Sequence, residues 1–98
     1  MTAYVIAETQ EIIENSAYQQ YRPLGANAVA LHQGQYLVRG GAAQSLEGDW
    51  HPQKLTILQF PSPDLARAWY DSPEYKHARS VRAGAVRMRF VTVDGASS

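Results

Sequence analysis

Two arginines, Arg39 and Arg82, are the side chains of this sequence best suited to hold a small molecule. Arg39 lies in an extended run just before a pair of glycines, and Arg82 lies near the end of a predicted helix. A guanidinium group is planar and donates paired hydrogen bonds, which suits carboxylate recognition. We therefore assign both residues to a candidate catalytic site for an anionic ligand. The alternative is that they form structural ion pairs with Glu47, Asp49 or Glu74.

Aromatic residues and a further arginine are candidate substrate-binding groups. Tyr75 and Arg82 are seven residues apart, which is two helical turns, so they share one helix face. The candidate substrate-binding residues are Trp50, Trp69, Tyr75 and Arg79. The alternative for the aromatic side chains is packing in the core or in an interface, which is their more common role.

His32 is the third candidate catalytic residue, because imidazole titrates near neutral pH and can act as an acid or a base. It lies two residues before Gly34, at the predicted end of a helix, so it could instead cap the last carbonyl groups. No Gly-x-Ser-x-Gly turn and no phosphate-binding glycine loop is present. Any chemistry would therefore rest on positioning, proton transfer and electrostatic stabilisation.

A metal site is the weakest of the chemical hypotheses. Glu47, Asp49 and His51 alternate along the chain and would share a face if that segment were extended. Gly48 and Pro52 favour a loop there instead. We therefore predict neither a metal nor another cofactor.

Four strands and three helices are predicted to position these side chains, in the order β-α-β-β-α-β with the second helical part divided in two. The predicted strands, rich in β-branched and aromatic residues, are 3–9, 35–39, 54–60 and 86–93. This order predicts an α+β, ferredoxin-like fold, with a four-stranded antiparallel sheet and helices on one face. Extended structure is also expected at 42–46, after a bulge or a close backbone approach at the glycine pair.

Capping residues and proline predict where the helices begin and end. Ser16 begins a capping-box sequence, and Gly34 is expected to close the first helix. Pro23 lies inside that helix, and its missing N–H predicts a kink or a break. Two later helices are expected to begin at the similar Ser-Pro-acid sequences 62–64 and 72–74.

The composition limits the class of protein. The 98 residues, 45% of them hydrophobic, are expected to form one domain over residues 1–98. Lys+Arg and Asp+Glu balance at nine each, which removes the electrostatic basis for nucleic-acid binding. The absence of cysteine excludes disulfides and thiolate metal sites.

The first residues resemble neither a signal peptide nor a membrane span, so we expect no membrane partner and a cytoplasmic location. The tail, residues 94–98, is expected to fray.

Hydrophobic residues occupy both faces of the predicted strands. In the first strand, Val5 and Ala7 alternate with Tyr4 and Ile6. Helices cover only one sheet face, so the other face of a monomer would expose an apolar patch, which usually marks an interface. We therefore predict a homodimer in which two sheets pack on each other. The alternative is a monomer with a mixed outer face.

Several motifs in fixed order resemble the family catalogued as domain of unknown function 1330. The resemblance spans about residues 3–94 and includes Val38-Arg39-Gly40-Gly41, Leu46-Glu47-Gly48-Asp49-Trp50-His51-Pro52, Leu58-Gln59-Phe60-Pro61-Ser62 and Ala68-Trp69-Tyr70-Asp71-Ser72-Pro73-Glu74-Tyr75. It implies membership of the dimeric α+β barrel superfamily, which includes cofactor-free monooxygenases, isomerases, haem-associated enzymes and ligand-sensing domains. No reaction is generally assigned within this family. His32 stands where the resemblance leads us to expect an aromatic residue.

Two functions remain open at this point. The first is a cofactor-independent enzyme or binder that acts on a small anionic or aromatic metabolite in a cleft between sheet and helices. Arg39, Arg82, Tyr75, Trp50 and His32 would line that cleft. The second is a non-catalytic ligand-sensing or protein-interaction module that is stabilised by dimerisation.

Overall fold

The computed structural model describes residues 1–96; Ser97 and Ser98, which belong to the predicted tail, lie outside the described residues. Four strands and three helices follow one another along the chain: β1 (Ala3–Ile12), α1 (Asn15–Leu31), β2 (Gln35–Ala42), β3 (Lys54–Phe60), α2 (Pro63–Tyr70), α3 (Pro73–Arg82) and β4 (Val86–Asp94). None of these helices is both long enough and apolar enough to cross a membrane.

The four strands form one antiparallel sheet in the order β2-β3-β1-β4. The register places Val5 opposite Leu58 on β3 and Ile6 opposite Val91 on β4. The predicted α+β, ferredoxin-like fold is thus confirmed. The bounds of β3 agree with the prediction, whereas β2 ends at Ala42 instead of continuing to residue 46.

The helices cover one face of the sheet, which we call the inner face. Alternate residues of β1 are buried there because successive strand side chains point to opposite faces. The core combines small residues of β1 and of all three helices with large aromatic residues, and its largest fully buried side chains are Trp69, Tyr75 and Phe60. The Cα extents of 42 × 37 × 16 Å fit one helix layer on one sheet layer.

Helix α1 differs from the prediction at its start, in its middle and at its end, where Gln33 (φ +64°) and not the predicted Gly34 takes the left-handed conformation after the C-cap His32. The N-cap is Glu14, whose carboxylate accepts from the backbone N–H groups of Ser16 and Ala17 at 3.1 and 2.8 Å, so the predicted capping by Ser16 is wrong. Of the kink or break predicted at Pro23, the break is wrong, because α1 continues to Leu31. Pro23 is exposed, so water can reach the carbonyl that loses its partner, and the buried residues that follow hold the helix by packing.

Two serine caps begin α2 and α3 as predicted. The Ser62 hydroxyl accepts from the N–H of Leu65 at 3.1 Å, and the Ser72 hydroxyl accepts from the N–H of Tyr75 at 3.1 Å. Ser72 also donates to the carbonyl of Trp69 at 2.7 Å, at the junction of the two helices. Since Ser72 is itself buried, these bonds fix how Trp69 and Tyr75 enter the core.

The opposite side of the sheet, which we call the outer face, has no helix on it. It carries Ile6 opposite Ile57 and Val91, and Leu37 and Val93 are also exposed hydrophobic residues of the sheet. Val91 is 58% exposed and Leu37 is 50% exposed. The predicted apolar surface on this side of the sheet is therefore present in the structure.

Candidate functional site

A cavity of about 70 Å³ lies between α1 and the inner face of the sheet. This exceeds the roughly 10–15 Å³ that one water molecule needs. Its lining combines aromatic rings, hydroxyls and two guanidinium groups, and it includes no carboxylate and no imidazole. The lining residues are Ala7, Thr9, Tyr18, Tyr21, Arg22, Gly25, Val29, Tyr36, Arg39, Gly40, Thr56, Leu58, Trp69, Tyr75, Met88 and Phe90.

Packed aromatic rings form the inner wall of the cavity. The rings of Trp69 and Tyr75 have centroids 4.3 Å apart, and Phe90 lies 6.2–6.4 Å from both. Trp69 and Tyr75 are each 1% exposed, so their rings are held by the core as well as by each other. Such pairs contribute about 0.5–1.5 kcal/mol beyond the area that they bury. The wall is therefore a fixed part of the core that bounds the cavity.

Two phenol groups meet at this wall. The hydroxyls of Tyr21 on α1 and Tyr75 on α3 are 2.7 Å apart and share a hydrogen bond. Burial raises the pKa of both phenols, and the neighbouring phenol further raises the pKa of Tyr21. Both hydroxyls therefore keep their protons at neutral pH and are available as hydrogen-bond donors.

Arg39 reaches the cavity from a distorted part of β2. The pairing of β2 with β3 is irregular between Val38 and Gly41, and Gly40 has φ +65°, a left-handed conformation that glycine adopts without steric cost. The N–H of Gly40 donates to the Thr56 hydroxyl at 3.0 Å, which secures the bulge. The guanidinium carbon of Arg39 lies 4.6 Å from the centroid of the Tyr36 ring, a cation–π distance.

Arg39 and Arg22 mark the open side of the cavity, since both are exposed while most of the other lining residues are not. Burial raises the pKa of the neighbouring Tyr36 phenol, and the charge of Arg39 opposes that rise. Within residues 1–96 neither arginine forms a salt bridge. The mouth therefore carries two cations whose charge no side-chain carboxylate neutralises.

Arg82 lies beside the cavity and is not among its lining residues. Its guanidinium carbon is 5.2 Å from the centroid of the Tyr21 ring and 5.5 Å from that of Phe90. The Arg82 Nε is buried without a hydrogen-bond partner, and no carboxylate of the described residues pairs with this side chain. The alternative ion pairs of Arg39 and Arg82 with Glu47, Asp49 or Glu74 do not form.

His32 and Arg79 lie outside the cavity. His32 is the C-cap residue of α1, and its Nε2 is 3.1 Å from the Glu74 carboxylate, so it links the end of α1 to the start of α3. Arg79 lies over the Tyr70 ring at 4.2 Å and donates to the Tyr70 carbonyl at 3.2 Å. The contacts of both residues in this structure are those of helix packing.

Trp50 lies on the other side of the sheet from the cavity. It is 50% exposed in the loop between β2 and β3, and it lies beside Ile6, Glu8 and Arg89. Arg89 donates to Glu8 at 2.7 Å on that outer face. Of the seven predicted site residues, the structure brings Arg39, Trp69 and Tyr75 together at the cavity and places Arg82 next to it.

The predicted loop between β2 and β3 contains Glu47, Asp49 and His51, which are all exposed. Across the part of the chain that the structure describes, no three His, Asp or Glu side chains come close enough to hold a metal ion.

The sequence interpretation missed Tyr18, Tyr21 and Arg22, which bring α1 into the site. Tyr18, Tyr21 and Gly25 recur at steps of three and four, so they share a helix face. In the sequence alone, Tyr21 fits the apolar face of this helix, where packing is the usual role. The sequence signal for a site is that this helix face carries two tyrosines and then a glycine, at positions where a core helix usually carries aliphatic residues.

Fold and cavity together define a small α+β protein with an aromatic, cationic pocket between helix and sheet. The chain matches the family described as domain of unknown function (DUF1330) over residues 2–96, and it belongs to that family. The resemblance inferred from the sequence is thereby confirmed. No curated protein matches the chain.

Solved structures share the fold at low sequence identity. A protein of unknown function from Rhodopseudomonas palustris is 17% identical, with a TM-score of 0.76 over 99% of this chain and 84% of that chain. A dimeric ferredoxin-like protein of unknown function from Thermobifida fusca is 17% identical, with a TM-score of 0.62 over 95% and 90%. SnoaB, a cofactor-independent oxygenase from Streptomyces nogalater, is 12% identical, with a TM-score of 0.61 over 99% and 94%.

Proposed function

We propose that this protein binds a small anionic metabolite with a flat, aromatic or conjugated body in the cavity between α1 and the sheet. Arg39, assisted by Arg22, would receive the anionic group at the mouth. The wall of Trp69, Tyr75 and Phe90 would stack on the body of the ligand.

The observation that carries this proposal is the uncompensated positive charge around an aromatic cavity. Arg39 and Arg82 have no salt-bridge partner within residues 1–96, and the lining includes no carboxylate. A cation without a counter-ion favours a negative ligand, and a guanidinium fork suits a carboxylate in particular. The lining has the apolar walls and few convergent polar groups of small-molecule sites, and its volume of about 70 Å³, below the roughly 300–1,000 Å³ of drug-sized sites, restricts it to a small ligand.

The chemistry that these side chains can perform without a cofactor is positioning, hydrogen bonding and electrostatic stabilisation. SnoaB, which shares the fold, is described as a cofactor-independent oxygenase. That description supports the idea that a cofactor-independent enzyme can be built on this fold. A non-catalytic, ligand-sensing module is the second candidate, and it is favoured by the absence of imidazole and carboxylate among the lining residues.

We also propose that the protein works as a homodimer formed through the outer face of the sheet. The exposed hydrophobic side chains Leu37, Val91 and Val93 support this, because exposed apolar surface is removed from water when two sheets pack. The fold relative from Thermobifida fusca is described as dimeric. The cavity opens on the other side of the sheet, so it would stay accessible.

Thermal shift with benzoate and phenylacetate tests the binding proposal, with neutral benzamide as the ligand control. At ten times its Kd a ligand stabilises the native state by about 1.4 kcal/mol, which raises Tm by roughly 6–11 °C in a domain of this size. We expect this rise in the wild type and its loss in Arg39→Gln.

Arg87→Gln is the matched control variant, because Arg87 pairs with Glu11 on the exposed surface and does not line the cavity. It removes the same charge and should keep the full rise. No shift with any of these carboxylates, or an equal loss in both variants, would contradict the proposal.

A further inference from the structure

The phenol pair of Tyr21 and Tyr75 has a hydrogen-bonding capacity that the folded chain does not use. The two hydroxyls carry two protons, and only one of these can lie between oxygens that are 2.7 Å apart. Arg82 is the other polar side chain beside the two phenols, and because a guanidinium only donates, it does not use the second O–H proton. Since both residues line the cavity, the remaining O–H is available to a ligand there.

A cation lies next to this donor. The Arg82 guanidinium lies 5.2 Å from the Tyr21 ring centroid, its Nε has no partner, and no carboxylate pairs with it in residues 1–96. In a poorly solvated site the effect of such a charge is stronger than in water. The chain thus combines an unused O–H donor with a cation beside it.

We propose that the Tyr21–Tyr75 pair donates a hydrogen bond to a ligand oxygen that carries or develops negative charge, with Arg82 supplying the compensating charge. This inference rests on the proposed function, because it needs the ligand in the same cavity. It narrows the ligand to small compounds with a phenolate or enolate oxygen, which means phenols and enolisable carbonyl compounds.

The pair would act as a donor and would not transfer its proton. Burial raises the pKa of both phenols, so each keeps its proton beside a ligand oxygen. A preorganised donor in a site of this kind stabilises charge where it develops on the ligand. A hydrogen bond to a charged group contributes enough to change an equilibrium roughly tenfold or more.

The probe is 4-nitrophenol, whose phenolate is yellow and whose neutral form is colourless. At a fixed pH, absorbance measures how far binding to the protein shifts the probe toward its phenolate. We expect the wild type to favour the phenolate, and the double variant Tyr21→Phe/Tyr75→Phe to lose roughly tenfold or more of that preference.

Single variants and a matched control complete the test. Each single Tyr→Phe variant should lose less of the phenolate preference than the double variant, because the remaining hydroxyl can still donate. Arg82→Gln should also lower the phenolate preference, although both hydroxyls are in place. Tyr4→Phe removes a phenol on the outer face of the sheet, one that does not line the cavity and makes no side-chain hydrogen bond in residues 1–96, and should behave as wild type. These variants keep the inference testable if the double variant does not fold.

The outcomes separate this inference from the proposed function. An unchanged phenolate preference in the double variant, or an equal fall in Tyr4→Phe, overturns the role of the pair. If carboxylates bind with dependence on Arg39 and 4-nitrophenol does not bind, the inference fails and the proposed function stands. If neither class of compound binds, both fail.

Discussion

The hydrogen bond between Tyr21 and Tyr75 should have a measurable effect on stability through a double-mutant cycle. Tyr21→Phe leaves the hydroxyl of Tyr75, a residue that is 1% exposed, without the phenol hydroxyl with which it shares a hydrogen bond. An unsatisfied buried polar group costs about 1–3 kcal/mol. The adjoining cavity of about 70 Å³ can admit water to the orphaned hydroxyl. We therefore expect the lower end of that range, about 1 kcal/mol, for each single variant.

Removing both hydroxyls should cost less than the sum of the two single changes, because no orphaned partner remains. We expect the double variant to lose about 1 kcal/mol, which gives a coupling energy of about 1 kcal/mol. Urea denaturation at one fixed protein concentration measures the four free energies of unfolding, since a dimer's stability depends on concentration. Additivity within about 0.3–0.5 kcal/mol would refute the structural pairing of the two phenols.

Three further predictions concern the fold and its assembly. Gly34→Ala should lower the free energy of unfolding by about 1–3 kcal/mol in denaturation experiments, because an added Cβ would lie 2.7 Å from the buried Phe60 ring. Hydrogen bonds from the Ser16 hydroxyl, the Ala17 N–H and the Ser16 N–H lower the pKa of the Glu14 carboxyl. The wild type's advantage over Glu14→Ala in pH-dependent melts should therefore be full well above pH 4.5, the ordinary pKa of this carboxyl, and should be lost as the pH falls through the lowered pKa of the folded protein. Val91→Lys should shift native mass spectra toward the monomer, whereas Ala30→Lys on the exposed helix surface should not.

The elements of the fold were predictable where local signals dominate. The strand at 54–60 and the serine caps at 62 and 72 agree with the structure because turn and cap residues act on their own neighbours. The continuous α1 was not predictable, because packing of the residues after Pro23 outweighs the local preference for a break. The capping by Glu14 was missed because a neighbouring serine offered the commoner cap.

The site was predictable only in part, because a side chain reaches the cavity only if it lies on the inner face of the sheet, and short motifs do not specify the face. Tyr75 and Arg39 reach it, since a helix face and a strand bulge both direct side chains toward α1. Trp50 belongs to the loop between β2 and β3, which lies against the outer face of the sheet, and no short sequence motif specifies the face on which this loop packs. His32 lies past the end of α1, where Glu74 is its nearest polar partner. Tyr21 occupies an apolar position of its helix, so the sequence alone does not distinguish it from a core residue.

A crystal structure of the protein soaked with benzoate would test most directly whether the cavity between α1 and the sheet holds a small anion. We expect benzoate in that cavity, with its carboxylate on the guanidinium of Arg39 and its ring against Trp69 and Tyr75. An empty cavity at saturating benzoate, or benzoate only beside Trp50 on the outer face, would contradict the proposed function.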